Sequence, residues 1–315
     1  MKLFNNIIYV AAICLLCGCS KDDVVEEQSV PKEYTVSLKF NGEIETEDSP
    51  LTRTETASTD LYGVQVYKDG RGFAYGLFDN VNDMNLNLLS GSKYKFVVTL
   101  IKDGKNIIYS DVRGRYAEPF NIAGNSYVIG CSNCFYYGVS SFSSLGVGRI
   151  AVGENWKMAC PEADWYYGEL DNYTPMENGV VNIELKHTVF GLRYEVSGVT
   201  DGTVTIKIEN SDRTFFNKAD ITSDYTSDGS IFAFYDIRSS WLYADNYTEN
   251  LTVSVKWVRG IGITQDLGSK SIQIKRNIMN VVRIKLGADG SDSSVGITTE
   301  DDSSMNDEEI EIPLS

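Results

Sequence analysis

Apolar and polar residues alternate with a period of two along most of this chain. Tyr34, Val36, Leu38 and Phe40 fall on one side of a run whose other side carries Thr35, Ser37 and Lys39. The same alternation returns at Tyr62/Val64/Val66, Tyr94/Phe96/Val98/Leu100, Val204/Ile206/Ile208, Leu251/Val253/Val255/Trp257 and Val282/Ile284/Leu286. Successive side chains of an extended strand point to opposite faces, so each run predicts a strand with one buried and one solvated face. Asn41-Gly42, Asp69-Gly70, Asp103-Gly104, Asn178-Gly179 and Asp201-Gly202 punctuate the runs, and such pairs accept the positive φ of tight turns. After residue 20 no stretch of useful length repeats at the helical period. The pattern predicts an all-β protein built from antiparallel β-sandwiches.

The 315 residues are too many for one sandwich of ordinary size. Two consecutive domains of transthyretin-like or Greek-key type are expected, over residues 31–165 and 166–287. The join is placed within residues 160–178, where Pro161 and Pro175 interrupt the alternation. The second set of strands is expected to open with Val180-Val181-Asn182-Ile183-Glu184-Leu185. Residues 288–315 hold nine acids and no lysine or arginine, which predicts an exposed tail.

The N-terminus departs from this pattern. Lys2 is followed by an apolar run over residues 7–16, too short to span a bilayer and shaped like a secretory signal over residues 1–18. It ends in Leu16-Cys17-Gly18-Cys19, which resembles the lipobox of bacterial lipoproteins. The resemblance implies cleavage before Cys19 and acylation of that cysteine. Acyl chains contribute about 0.8 kcal/mol per buried CH₂, so several hold a protein on a membrane with no spanning helix. Residues 19–30 read as an acidic tether, since a charged run without aromatics cannot collapse. Within it Lys21, Asp22 and Asp23 resemble the signal that exports Bacteroidota lipoproteins to the outer face of the outer membrane, implying a lipid-anchored protein displayed on the cell surface.

Charge narrows the partners. The chain has 28 basic and 44 acidic side chains, and loss of residues 1–18 removes Lys2 and no acid, taking the net charge from −16 to −17. That balance opposes nucleic-acid binding and attraction to anionic lipid, leaving the acyl chains as the membrane contact.

Candidate chemistry is sparse. Cys131-Ser132-Asn133-Cys134 has zinc or redox spacing, and Cys160 with the single histidine, His187, completes a four-ligand set on paper. No second Cys-x-x-Cys accompanies it and no helix follows to lower a thiol pKa. In an oxidising compartment, one disulfide and one buried free cysteine are the more natural use of the three thiols. His187 lies in a predicted strand and reads as a packing or surface residue. No nucleophile–base pair, calcium loop or phosphate-cradling glycine loop stands out, so neither an enzyme nor a cofactor is expected.

Taken together, the order of features resembles the fimbrillin-type lipoproteins of Bacteroidota, the subunits of type V pili. The residues that carry the resemblance are the lipobox, the acidic tether, the first strand over residues 34–40 and the polar loop with Leu51-Thr52-Arg53-Thr54. A Tyr-rich join, Trp165-Tyr166-Tyr167 to Pro175, and the pair Ile183-Glu184-Leu185-Lys186-His187 and Leu192-Arg193-Tyr194-Glu195-Val196 complete it. The resemblance implies proteolysis between Arg53 and Thr54 and loss of the first strand. It further implies assembly with other pilus subunits or with itself by β-strand addition, with a cell adhesion role. Ile310, Ile312 and Leu314 would line the donor strand, and Pro313 confines such a strand to an edge or an unpaired position. A lipid-anchored glycan- or protein-binding surface protein that does not polymerise is the alternative. It rests on Phe135-Tyr136-Tyr137, Trp165-Tyr166-Tyr167 and Trp241-Leu242-Tyr243, whose rings suit sugar faces or protein contacts.

Overall fold

The computed structural model describes residues 30–43, 58–124, 129–152, 157–159, 162–210, 214–234, 247–260, 262–288, 292–300 and 310–313. Within them the chain is almost entirely strand. The first ten strands are β1 (Glu33–Gly42), β2 (Leu61–Lys68), β3 (Arg71–Phe78), β4 (Asn85–Leu89), β5 (Tyr94–Ile101), β6 (Tyr136–Tyr137), β7 (Ile150–Val152), β8 (Lys157–Ala159), β9 (Trp165–Tyr173) and β10 (Gly179–His187). The next ten are β11 (Val189–Ser197), β12 (Thr203–Glu209), β13 (Thr214–Ile221), β14 (Tyr225–Thr226), β15 (Ser230–Ala233), β16 (Thr248–Val258), β17 (Thr264–Lys275), β18 (Met279–Lys285), β19 (Ser294–Glu300) and β20 (Ile310–Pro313). The α-helix among the described residues is one turn, Gly104–Ile107.

The first sheet has the order β4-β1-β10-β9-β5-β2-β3-β6. It curls so far that its two ends meet, with the Asn87 amide on β4 donating to the Tyr137 hydroxyl on β6 at 3.2 Å. The curl encloses a core filled by alternate residues of its longer strands, among them Val36 and Leu38, Val64 and Val66, Phe96 and Val98, and Ile183 and Leu185. The period-two runs predicted for these strands are the positions that fill it. Asp69-Gly70 forms the tight β2–β3 turn, with φ of 47° and 79°, the pair of positive values that a two-residue hairpin loop needs.

β2 is buried on both faces. Its outer side is covered by the largely irregular segment after β5, which brings Ile108, Tyr116, Phe120, Phe142, Leu145 and Ile150 onto Leu61, Val97 and Ile101. A Cβ on Gly63 would stand 2.6 Å from the Phe120 ring and 2.8 Å from Leu145, so glycine permits the close approach.

The second half is a sandwich. One sheet runs β14-β11-β18-β19-β20, with β15 also on β11, and the other runs β13-β12-β16-β17. Phe190, Leu192, Val282, Ile284 and Val295 from the first meet Val204, Ile206, Val253, Val255, Trp257 and Ile274 from the second.

Three expectations are corrected. Strand pairing is not wholly antiparallel, because β1 runs parallel to β10 and β11 runs parallel to β18. Parallel neighbours require a long crossover, and each of these pairs is separated by most of its half of the chain. The join placed at residues 165/166 does not separate sheets. Both β9 and β10 belong to the first sheet, so the strand expected to open the second set closes the first. The step to the second sandwich comes at Thr188, between β10 and β11, and the apolar cluster is continuous across it through Trp165, Val189 and Phe190. Finally, the acidic C-terminal stretch is not all tail, since β19 pairs along its length with β18 and Val295 is fully buried.

Candidate functional site

β1 is an interior strand held on both edges. Its residues Val36 to Gly42 pair with Gly179 to Leu185 of β10, and Glu33 to Ser37 pair with Leu89 to Asn85 of β4. The Leu38 amide adds a bond to the Met84 carbonyl at 3.0 Å. Val36, Leu38 and Phe40 are buried, and the Phe40 ring stacks on Tyr62 with centroids 5.5 Å apart. Tyr34, expected on the same buried face, is only half-buried. Withdrawing β1 would leave a slot floored by apolar side chains and bounded by unpaired backbone groups of β4 and β10, which are costly to leave without partners.

The exit of β1 is fixed by a polar knot. The Glu43 carboxylate accepts from both Arg276 guanidinium nitrogens, at 2.7 and 3.0 Å, and from the His187 amide at 2.7 Å. Arg276 also donates to the His187 carbonyl at 2.7 Å. It comes from the turn between β17 and β18, in the second sandwich, and its side chain is only 3% exposed. Burial works to raise the Glu43 pKa, but the Arg276 and His187 hydrogen bonds and the charges of Arg276 and Lys186 outweigh it, so the carboxyl sits below the usual glutamate range. His187 stacks on Tyr166 at 4.4 Å and places its ring nitrogens 2.6 Å from Asp164 Oδ1 and Asn277 Oδ1. It packs as the sequence suggested, its ring between Tyr166, Asp164 and Asn277.

β20 pairs antiparallel with β19, Ile310 opposite Ile297 and Ile312 opposite Val295, at the edge of the second sandwich. Pro313 falls at the end of this ladder, opposite Ser294, where a missing N–H is tolerated. The segment read as a donor thus lies on its own chain. Leu314 lies outside the described residues, as do Cys19, Lys21, Asp22, Asp23, Arg53 and Thr54. Arg53 and Thr54 fall in the connection from β1 to β2, strands that are separated in the sheet by β10, β9 and β5.

Cys131 and Cys134 are both free thiols, so the single disulfide expected among the three cysteines does not form. The turn at Asn133, with φ of 52°, sends one thiol inward and the other to solvent. Burial and the nearby Asp79 carboxylate push the Cys131 thiol up to about 12. Cys160 lies outside the described residues, and no group of three metal-ligating side chains occurs among those described.

The aromatic clusters divide. Trp165, Tyr166 and Tyr167 are buried in β9. Phe135 packs on Phe78, whereas Tyr136 and Tyr137 are exposed at the seam of the first sheet, where they lie against Tyr75 and Phe73. Trp241, Leu242 and Tyr243 lie outside the described residues. A shallow cleft of about 340 Å³ opens beside Tyr67, Phe142 and the Lys95–Glu169 ion pair. Neither Glu43 nor Arg276 was singled out by the sequence. One is the first of several acids after β1 and the other a base beside Lys275 in a turn, 233 residues away, and neither stands out from its charged neighbours.

No protein-family model matches the chain, and no curated protein matches it. Among solved structures it is similar to a fimbrial assembly protein from Parabacteroides distasonis at 12% identity and a TM-score of 0.41, covering 89% of this chain and 99% of that one. It is also similar to the tip fimbrial protein Mfa3 of Porphyromonas gingivalis with C-terminal truncation, at 8% identity and a TM-score of 0.39, covering 86% of this chain and 100% of that one.

Proposed function

We propose that this chain is a fimbrillin-like subunit of a surface fibre, lipid-anchored at Cys19 and assembled by strand exchange. The observation that carries the reading is the placement of β1. It is the first strand among the described residues, it fills an interior slot with Val36, Leu38 and Phe40, and in sequence it precedes the stretch bearing Arg53 and Thr54. Proteolysis there would free the strand together with the lipid anchor. An extended segment of a neighbouring subunit would then take its place through backbone hydrogen bonds and alternate apolar side chains. β20 is the segment of this chain suited to donate, since it lies at a sheet edge with β19 as its neighbour. The role is structural and adhesive, and it requires no cofactor.

Export to the outer face of the outer membrane rests on Lys21, Asp22 and Asp23 behind the lipobox. The folded body is proposed as two units dividing at Thr188. Mass spectrometry of protein taken from intact cells tests the reading, with acylated Cys19 expected on anchored chains and Thr54 at the N-terminus of assembled ones. Chains that begin at neither residue would overturn it. A second reading, a surface glycan or protein binder, draws on Tyr136 and Tyr137, which present their rings to solvent. Saturable binding to a polysaccharide, lost in Tyr136→Ala, would favour it.

A further inference from the structure

The Arg276 guanidinium raises a question that strand packing does not answer. A cation this deeply buried is costly without a compensating charge, and the Glu43 carboxylate bonded to it leaves with β1. Three N–H groups, two from Arg276 and the backbone amide of His187, converge on Glu43. The two that belong to Arg276 are held in place from behind. Asn277 adopts a left-handed conformation with φ of 57°, its amide donates to the Val189 carbonyl at 2.7 Å, and Arg276 itself is bonded to the His187 carbonyl. The His187 amide is fixed by the end of β10, whose neighbour Leu185 accepts from the Glu43 amide at 3.0 Å. All three donors therefore belong to parts of the fold that stay when β1 goes.

We propose that Arg276 and the His187 amide form a carboxylate-binding site that reads whatever segment occupies the β1 slot. Glu43 fills it in the uncut chain and so ties the exit of β1 to the second sandwich. The further part, which rests on the strand-exchange reading above, is that a segment from a second subunit must bring its own carboxylate to the same place. A donor with the right apolar spacing but no acid there leaves the three converging N–H groups without the carboxylate that they hold here, and the slot discriminates against it. Apolar pockets alone distinguish poorly among alternating Val, Leu, Ile and Phe segments, whereas one desolvated charge separates partners sharply.

Two experiments decide this. In the uncut full-length chain, Glu43→Ala should lower the melting temperature by roughly 5 °C or more, and acetate should restore much of the loss while acetamide and chloride at equal ionic strength do not. Should that variant not fold, Glu43→Gln serves in its place. Melting like the parent, or recovery indifferent to the added solute, overturns the site. In the second, the full chain is cut between Arg53 and Thr54, and synthetic C-terminally amidated peptides spanning residues 33–43 compete for the slot. The parent peptide should displace the resident strand at a concentration at least about tenfold lower than its Glu43→Gln counterpart. Equal potency overturns the selectivity. If neither peptide displaces the strand, it is the strand-exchange reading that fails, and acetate rescue still decides the carboxylate site.

Discussion

The Asn87 amide and the Tyr137 hydroxyl, 3.2 Å apart, join the two ends of an eight-stranded sheet. Left open, the sheet would present two edges, each a template for unwanted pairing. Curling the ends together shields both, and it turns one face of the longer strands toward an interior core. β1, the first strand of the described residues, lies inside this sheet between β4 and β10.

Tyr137→Phe removes the seam hydrogen bond and leaves the ring on Phe73. The ring is 56% exposed, so the stability cost is small, about 0.5 kcal/mol. The sensitive measurement is amide exchange, in which the Asn87 N–H should lose protection while the amides of β5 and β9 keep theirs.

Gly63→Ala should be far more damaging. The added methyl meets the Phe120 ring and Leu145, both buried against β2. Overpacking of this kind costs about 1–3 kcal/mol. Urea denaturation should place the variant in that range, and Gly63→Ala with Phe120→Leu should recover part of the loss.

The two free thiols should react very differently. Cys134 is exposed, while Cys131 is half-buried with its pKa pushed up to about 12 by burial and Asp79. The thiolate is the reactive form, so at about pH 8 Cys131 has almost none. Iodoacetamide on the native protein should label Cys134 and spare Cys131, and labelling in urea should reach both, as read by peptide mapping.

Acid should weaken the tie between the halves. The folded-state pKa of Glu43 is depressed below its ordinary value of 4.5 by Arg276 and His187, against the opposing effect of burial. A depressed carboxylate contributes stability that is fully present above 4.5 and is lost as pH falls through the lower, folded value. Stability should therefore drop on acidification below the ordinary glutamate range. Melting curves of Glu43→Gln should lack that part of the fall.

Much of the fold was legible in the sequence, because a period of two states directly which side chains face inward. β1, β2, β5, β12, β16 and β18 all bury the alternating positions that the pattern marks, with Tyr34 as a partial exception. The same pattern says nothing about which sheet a strand joins. Val181, Ile183 and Leu185 would alternate identically in either sandwich, and the parallel pairing of β10 with β1 has no turn between them to betray it. The cover over β2 was invisible for another reason. Phe120, Phe142 and Leu145 lie in irregular backbone, where burial follows no period. The Glu43–Arg276 pair was beyond reach altogether, since only the folded chain brings together single charges so far apart in sequence.

The C-terminal segment supplies the last prediction, which follows from the strand-exchange proposal. Among the described residues β20 pairs with β19 alone, and β19 is fixed on its other side to β18. A chain ending at Glu300 should therefore fold, since it keeps Val295 and the whole β18–β19 ladder. A chain ending at Ala288 should not serve as the test, because it loses a buried strand along with the tail. Uncut, the chain ending at Glu300 should elute as a monomer, with the newly bared β19 edge slowing it little in size-exclusion chromatography. After proteolysis between Arg53 and Thr54, the full-length chain should lose β1 and polymerise, while the shortened chain should lose β1 and remain monomeric. Light scattering separates the outcomes at once. If the shortened, cut chain assembles as readily as the full-length one, β20 is not the donor, and the slot left by β1 must be filled by a segment from a different protein.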